Sequence, residues 1–151
     1  MIIESDQHLY QDGHYYWTPE RSVAAWSRCF QQLTRAIASG KYRLVMMLIG
    51  IPGSGKSTYA QTHDRPDIII FDGTFVDSTR RSRVVSAARA HGVPVIAVWL
   101  DTDFNTCILR NKQRPPDRQV PVDSMNLMLN RLQSAPPLLE EGFTQIYRIS
   151  A

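Results

Sequence analysis

The chain has 151 residues and a mass of 17.2 kDa, with 43% apolar and 21% charged residues, which is about one globular domain and excludes a disordered, collagen-like or coiled-coil chain. No run approaches the ~20 apolar residues of a membrane span, and the acidic start, MIIESDQHLY, lacks the basic and apolar segments of a signal peptide. The net charge of +3 is uneven: residues 80–118 hold eight basic residues against three acids, which suits a phosphate-rich partner but also describes a solvated helix face.

In chain order, residues 1–4 predict a short buried strand, followed by a turn around Asp12-Gly13. Thr18-Pro19-Glu20 is a helix start: a hydroxyl cap, proline at the first helical position and an acid in the first turn. Val23, Trp26, Phe30, Leu33 and Ile37 recur at helical spacing, and Gly40 closes that helix. Residues 43–50 (RLVMMLIG) predict a fully buried strand, and a second helix begins near Lys56 and ends before Pro66. Strands follow at 67–72 and 93–100, with a helix from Ser78 to His91 between them. A short helix over 103–112, an interruption at Pro115-Pro116, a helix over 122–134 and a last strand over 143–149 complete the chain. Apolar strands alternating with helices imply one α/β domain with a parallel sheet covered on both faces. Cys29 and Cys107 form no CxxC and no metal-binding pattern; they predict small core residues in a reduced, cytoplasmic protein. No His has ligand spacing, and Tyr15, Tyr16 and Trp17 are expected to pack between the turn and its helix rather than stack on a base.

One segment carries chemistry. Gly50-Ile51-Pro52-Gly53-Ser54-Gly55-Lys56-Ser57-Thr58 fits G-x-x-x-x-G-K-[ST], the phosphate-binding loop, between a predicted strand and a predicted helix. Glycines let successive backbone N–H groups curl around an anion, and the loop opens onto a positive helix N-terminus. Lys56 is expected to reach the β- and γ-phosphates and the Ser57 hydroxyl to bind Mg²⁺. Asn111-Lys112-Gln113-Arg114 is no guanine-reading NKxD, because Arg114 stands where Asp is required, so a GTPase is disfavoured.

These residues resemble the polynucleotide kinase family, P-loop enzymes that phosphorylate 5′-hydroxyl ends. The loop GIPGSGKSTYA, then Asp72-Gly73-Thr74 followed by Arg80-Arg81, then Arg110 to Arg114 and Val120-Pro121-Val122-Asp123 carry the likeness over residues 43–135. The family also has, after the loop helix, a strand ending in a general-base acid, a turn of the type Asp-Gly-x-Tyr-x-x-x-Pro-Glu, and a long helix. Here Tyr59 to Asp67 leaves no room for that unit, but Ile2 to Tyr10 and Asp12-Gly13-His14-Tyr15-Tyr16-Trp17-Thr18-Pro19-Glu20 look like it, ahead of the loop. A strand–helix unit (residues 1–40) moved to the front of the loop-bearing part (41–151) needs only two reconnected loops, Ser39–Arg43 and His63–Asp67. The displaced strand is then expected at the sheet edge beside the Asp72 strand, with its helix and the loop helix in the same layer.

The resemblance implies a P-loop kinase-type α/β fold: a five-stranded parallel sheet with helices on both faces and a permuted strand order. It implies ATP and Mg²⁺ as cofactors and a nucleic-acid 5′-hydroxyl end, DNA or RNA, as partner, with no membrane and no protein partner indicated. Asp6 is the implied base, although Leu9 stands where phage members carry an arginine three residues after the acid. Gly50, Pro52, Gly53, Ser54, Gly55, Lys56, Ser57 and Thr58, with Arg110 and Arg114, are the implied nucleotide contacts. Ser57 and Asp72 are the implied metal-side residues, and Asp6, Asp72, Thr74, Arg80 and Arg81 the implied acceptor contacts. Arg114 is the expected lid arginine on the transferred phosphoryl group, with Arg110 and Arg118 as alternates. A small-molecule kinase acting on a nucleoside, sugar or antibiotic, and a nucleotide-binding regulator without acceptor chemistry, are the competing readings.

Overall fold

The computed structural model describes residues 1–150. Strand β1 (Ile2–Glu4) runs into a 3₁₀ turn over Ser5–Leu9, and β2 (Tyr10–Gln11) pairs with β3 (His14–Tyr15) in a hairpin. Its turn is Asp12-Gly13, both at positive φ (53° and 78°), the pairing that a tight two-residue hairpin needs. Helix α1 (Pro19–Ala38) starts as its sequence dictates, with the Thr18 hydroxyl accepting from the Arg21 amide at 3.0 Å. Its buried stripe is Ala25, Trp26, Cys29, Phe30, Leu33, Ala36 and Ile37. Val23 was expected on that stripe, but it is 67% exposed because burial begins only with Ala25.

Strand β4 (Leu44–Ile49) leads through the loop to α2 (Lys56–His63), then β5 (Ile68–Asp72) and α3 (Ser78–Arg89), whose N-terminus the Asp77 carboxylate caps. Strand β6 (Val95–Leu100), α4 (Phe104–Lys112), a 3₁₀ turn over Pro116–Arg118, α5 (Val122–Ser134), a 3₁₀ turn over Leu139–Glu141 and β7 (Gln145–Ile149) follow. Five strands form one parallel sheet in the order β1-β5-β4-β6-β7. The first strand therefore takes the edge position beside the Asp72 strand. Glu4, Asp72 and Leu48 are register partners across β1, β5 and β4, so the ends of these strands open on one side, where ligands of open α/β sheets bind.

Helices cover both faces. On one, Trp26, Phe30 and Leu33 of α1, Val84, Val85 and Ala88 of α3 and Leu132 of α5 close over Val45, Met47 and Phe71. On the other, Ala60 of α2 packs with Met46, Leu48, Ile70, Val98 and Leu100. The expectation that α1 and the loop helix share a layer is thus wrong. Helix α1 carries the chain from the edge to the middle of the sheet and α2 carries it back; reversing the direction of travel at a constant crossover hand puts the helix on the opposite face. Among the described residues no helix is long and apolar enough to cross a membrane.

Candidate active site

The loop from Gly50 to Gly55 joins the end of β4 to α2. Gly53 and Gly55 have φ values of 82° and 99°, a region closed to most side chains, and this lets the loop amides turn inward. A Cβ at Gly53 would come within 2.5 Å of the Cys107 carbonyl oxygen on α4. Gly53→Ala is therefore expected to cost about 1–3 kcal/mol of local strain and to weaken nucleotide binding at least tenfold, read by titration of a fluorescent nucleotide; unchanged affinity would show that this backbone is not the cradle.

Behind the loop, the Thr102 hydroxyl, just past β6, donates to the Ser54 carbonyl at 2.8 Å and is itself buried. The Ser54 hydroxyl is buried and is the one such side-chain atom among the described residues without a protein partner. On the open side, Lys56 Nζ donates to the Ile51 carbonyl at 3.1 Å, and Arg110 Nη1 to the Gly53 carbonyl at 3.3 Å. The Ser57 hydroxyl donates to Asp72 Oδ2 at 2.9 Å, tying the first turn of α2 to the end of β5. Thr74 takes part through its backbone, its carbonyl accepting from the Gly50 amide at 3.2 Å. Pro52 is buried in the loop, whereas Thr58 is exposed.

Four charges converge on this side of the sheet. Burial pushes the Lys56 ammonium below its usual pKa; the Asp72 carboxylate opposes that shift, Arg114 adds to it, and Asp6 opposes it. Asp6, in the 3₁₀ turn just past the edge strand, and Arg114, beyond α4, are thus brought to the same side of the sheet although they lie far apart in sequence. Asp6 accepts from Arg118 Nη2 at 3.2 Å and from the Tyr15 hydroxyl at 3.4 Å, and the Tyr15 amide donates to Asp117 at 3.2 Å. The turn holding Arg118 is therefore pinned onto the hairpin that follows Asp6. Burial, with Asp6 beside it, pushes the Tyr15 phenol up to about 12. Glu4 is also pushed up, first by burial and then by its register partner Asp72.

The arginines of α3 divide differently from the sequence expectation. Arg80 stacks over Trp26, 4.2 Å from the ring centre, and is half-buried there. Arg81, expected among the acceptor contacts, is 1% exposed and fully engaged inside the protein: it donates to Glu141 Oε1 at 2.8 Å, the Phe75 carbonyl at 2.9 Å and the Ala135 carbonyl at 2.8 Å. Its spacing to Val84, Val85 and Ala88 is that of a buried helix stripe, a signal present in the sequence. Three contributors went unnoticed there: Thr102, Glu4, and Asn111, whose amide makes a two-way link to Val120 (2.7 and 3.0 Å) and closes the base of the Arg114–Arg118 segment. Tyr16 and Trp17 were expected to pack; they are 51% and 57% exposed.

Comparison with known proteins fits this geometry. A protein family described as an AAA domain matches residues 64–135, less than half of the chain, beginning just past α2. Human L-seryl-tRNA(Sec) kinase is 30% identical over 73 residues, which is 48% of this chain but 20% of that protein, so the chain spans about a fifth of the length of this relative.

The fold is α/β, a five-stranded parallel sheet with helices on both faces, consistent with a P-loop kinase fold.

The tunicamycin resistance protein of Deinococcus radiodurans superposes over 97% of this chain and 69% of its own, at 15% identity and a TM-score of 0.43. The matched family and the human kinase support a nucleotide-binding, kinase-like P-loop domain. The residues present also fit the groups that a P-loop kinase fold would hold. A Cβ at Gly50 or Gly53 would come within 2.5 Å of Ser54 Oγ or of the Cys107 carbonyl oxygen, so the loop can keep this tight curl, with its amides free for phosphate, only with glycine at both positions. Ser57 with Asp72 offers the one-carboxylate, hydroxyl-oxygen donor set that suits Mg²⁺ shared with phosphates. Among the described residues no group of three or more His, Cys, Asp and Glu could form an all-protein metal cage.

Proposed function

We propose that this chain is an ATP- and Mg²⁺-dependent kinase that transfers the γ-phosphoryl group to a 5′-hydroxyl end of DNA or RNA. The observation that carries the reading is the placement of Asp6 in the turn just past β1: that strand ends at Glu4, the register partner of Asp72, and Asp72 accepts from Ser57 in the first turn after the loop, so Asp6 follows directly on the loop end of the sheet. A base there can take the proton of an attacking hydroxyl while the loop holds the donor in line. The human relative, whose name gives it a tRNA-borne acceptor, adds support for an acceptor carried on nucleic acid.

Each residue then has a role. The loop amides and Lys56 bind the phosphates. Ser57 and Asp72 would hold the metal, which would supply positive charge against that of the phosphates. Asp6 accepts the acceptor proton, with Tyr15 and Arg118 fixing its carboxylate. Arg114 and Arg110 bring positive charge to the phosphoryl group in flight. Asp72, Thr74 and Arg80 line the acceptor side.

The displaced-unit reading belongs to the same proposal. Met1 lies against Asp64, and the Arg43 amide donates to the Asp67 carbonyl, so the two joints needed to restore the usual order are already side by side. A family match that starts only at residue 64 is what such a rearrangement would leave.

The test is transfer of labelled γ-phosphate from ATP with Mg²⁺ onto a 5′-hydroxyl oligonucleotide. Label on the oligonucleotide supports the reading; tight ATP binding without transfer overturns it in favour of a small-molecule acceptor. The Michaelis constant for a nucleic-acid acceptor is further expected to rise at least tenfold between about 50 and 200 mM salt, because the counterions its phosphate contacts release gain less entropy in more salt. A salt-insensitive constant would argue for a small acceptor.

A further inference from the structure

Helices α1 and α3 lie side by side on one face and are unusually basic. They carry Arg21, Arg28, Arg35, Arg80, Arg81, Arg83 and Arg89 against a single acid, Glu20. Only the buried Arg81 is neutralised: among the described residues none of the other six has an ion-pair partner. Arg21, Arg28 and Arg35 recur every seven residues, which puts them on one stripe of α1 about 10.5 Å apart. That interval is close to the axial reach of three stacked nucleotides at ~3.4 Å each.

The stripe is flanked by two grooves. One, of about 260 Å³, lies between α1 and the segment after Asp6 and is lined by His8, Tyr10, Arg21 and Arg28. The other, of about 320 Å³, lies between α1 and α3 and is lined by Gln31, Arg35 and Arg83. Arg83 is held over the Phe30 ring at 3.9 Å, so its guanidinium is positioned without being neutralised. Beside the first groove stand the exposed rings of Tyr10, Tyr16 and Trp17. Uncompensated arginines in grooves next to exposed aromatic rings are the combination that tracks a single strand: charge follows the backbone and rings take the bases.

We propose that a single-stranded nucleic acid runs along α1, with bases on Tyr16 and Trp17 and backbone phosphates on Arg28, Arg35 and Arg83. The strand enters beside Asp6, because His8 and Tyr10 of the first groove are two and four residues past it. The inference rests on the proposed kinase reading, to which it adds the acceptor's path and a preference for acceptors longer than a dinucleotide.

The test reads binding without turnover. A labelled, 5′-phosphorylated oligonucleotide of about 12 nucleotides is titrated in fluorescence anisotropy at several salt concentrations. The double variant Arg28→Glu/Arg35→Glu is expected to bind at least tenfold more weakly, with the slope of log affinity against log salt reduced by about 1.4 for the two lost phosphate contacts. Trp17→Ala is expected to lose about fivefold or more. All three side chains are exposed, and thermal melting checks that the variants fold. Arg65→Glu/Arg131→Glu makes the same change in net charge elsewhere and is expected to bind like the parent. Equal binding by the first double variant, or an equal loss in the second, overturns the track. A transfer assay separates this outcome from failure of the kinase reading. Arg28→Glu/Arg35→Glu should keep transfer to a dinucleotide while losing it to the longer strand. If the parent phosphorylates neither acceptor but the anisotropy loss is seen, the track stands and the kinase reading falls.

Discussion

Asp6→Asn is expected to lower phosphoryl transfer by about 10²- to 10⁴-fold, the range of a positioned general base, with ATP affinity unchanged. The substitution keeps the shape of the side chain and its bond with Tyr15, and removes the group that takes the proton. Loss of fold would not explain a fall in rate: the Asp6–Arg118 pair is 42% and 34% exposed, and such pairs contribute at most about 1 kcal/mol. Single-turnover kinetics at saturating ATP separate the chemical step from binding. A rate within threefold of the parent would remove Asp6 from the mechanism. Glu4→Gln is the natural companion, because Glu4 is a nearby carboxylate already pushed toward its protonated form. If it abolishes transfer and Asp6→Asn does not, the base is Glu4.

Arg81→Met carries the largest expected stability effect, a loss of about 3–5 kcal/mol measured by urea unfolding. Against the ~5–15 kcal/mol typical of a domain, this puts the folded state at risk at 37 °C. The guanidinium ties three segments together: the Phe75 carbonyl after β5, the Ala135 carbonyl after α5, and Glu141 before β7. Phe75 has a φ of 47° and is fully buried, so Arg81 satisfies a carbonyl whose backbone is already strained. Removing Arg81 leaves both carbonyls without a donor and the Glu141 carboxylate with only the Leu138 amide, at 2.7 Å, in a largely dry environment. Arg81→Met with Glu141→Leu should recover much of the loss, since the uncompensated charge is gone. A single-variant loss under 1 kcal/mol would show that water reaches the site and that Arg81 is not the tie described.

The phosphate-binding loop motif and the strand sequence were legible because each is written locally, in glycine spacing and unbroken apolar runs, whereas the edge position of β1 followed only from a resemblance of its segment to a family's strand–helix unit. The layer of α2 was misjudged because it depends on the direction of travel between strands, which no single segment encodes. Arg81 was misjudged for a subtler reason. It sits in an arginine-rich run, where charge suggests a ligand surface, yet its 3.6-residue phase belongs to Val84, Val85 and Ala88. The link from Arg118 to Asp6 joins residues 112 positions apart and had no sequence signal. Tyr16 and Trp17 looked like packing residues because aromatic side chains beside a helix start usually are; only the fold shows that the hairpin holds them outward.

The pairing of Ile2 with Ile70 also bears on how the molecule is made. During synthesis the first strand and α1 emerge long before β5, the strand that separates β1 from the rest of the sheet. At ~5–20 residues per second the interval is about 3–14 s. For more than half of that time Trp26, Phe30 and Leu33 have no finished sheet to cover, and an amphipathic helix with an uncovered apolar stripe is what holdase chaperones bind. Carrying the edge strand ahead of β4 and β5 thus exchanges a local pairing for a waiting period on the ribosome.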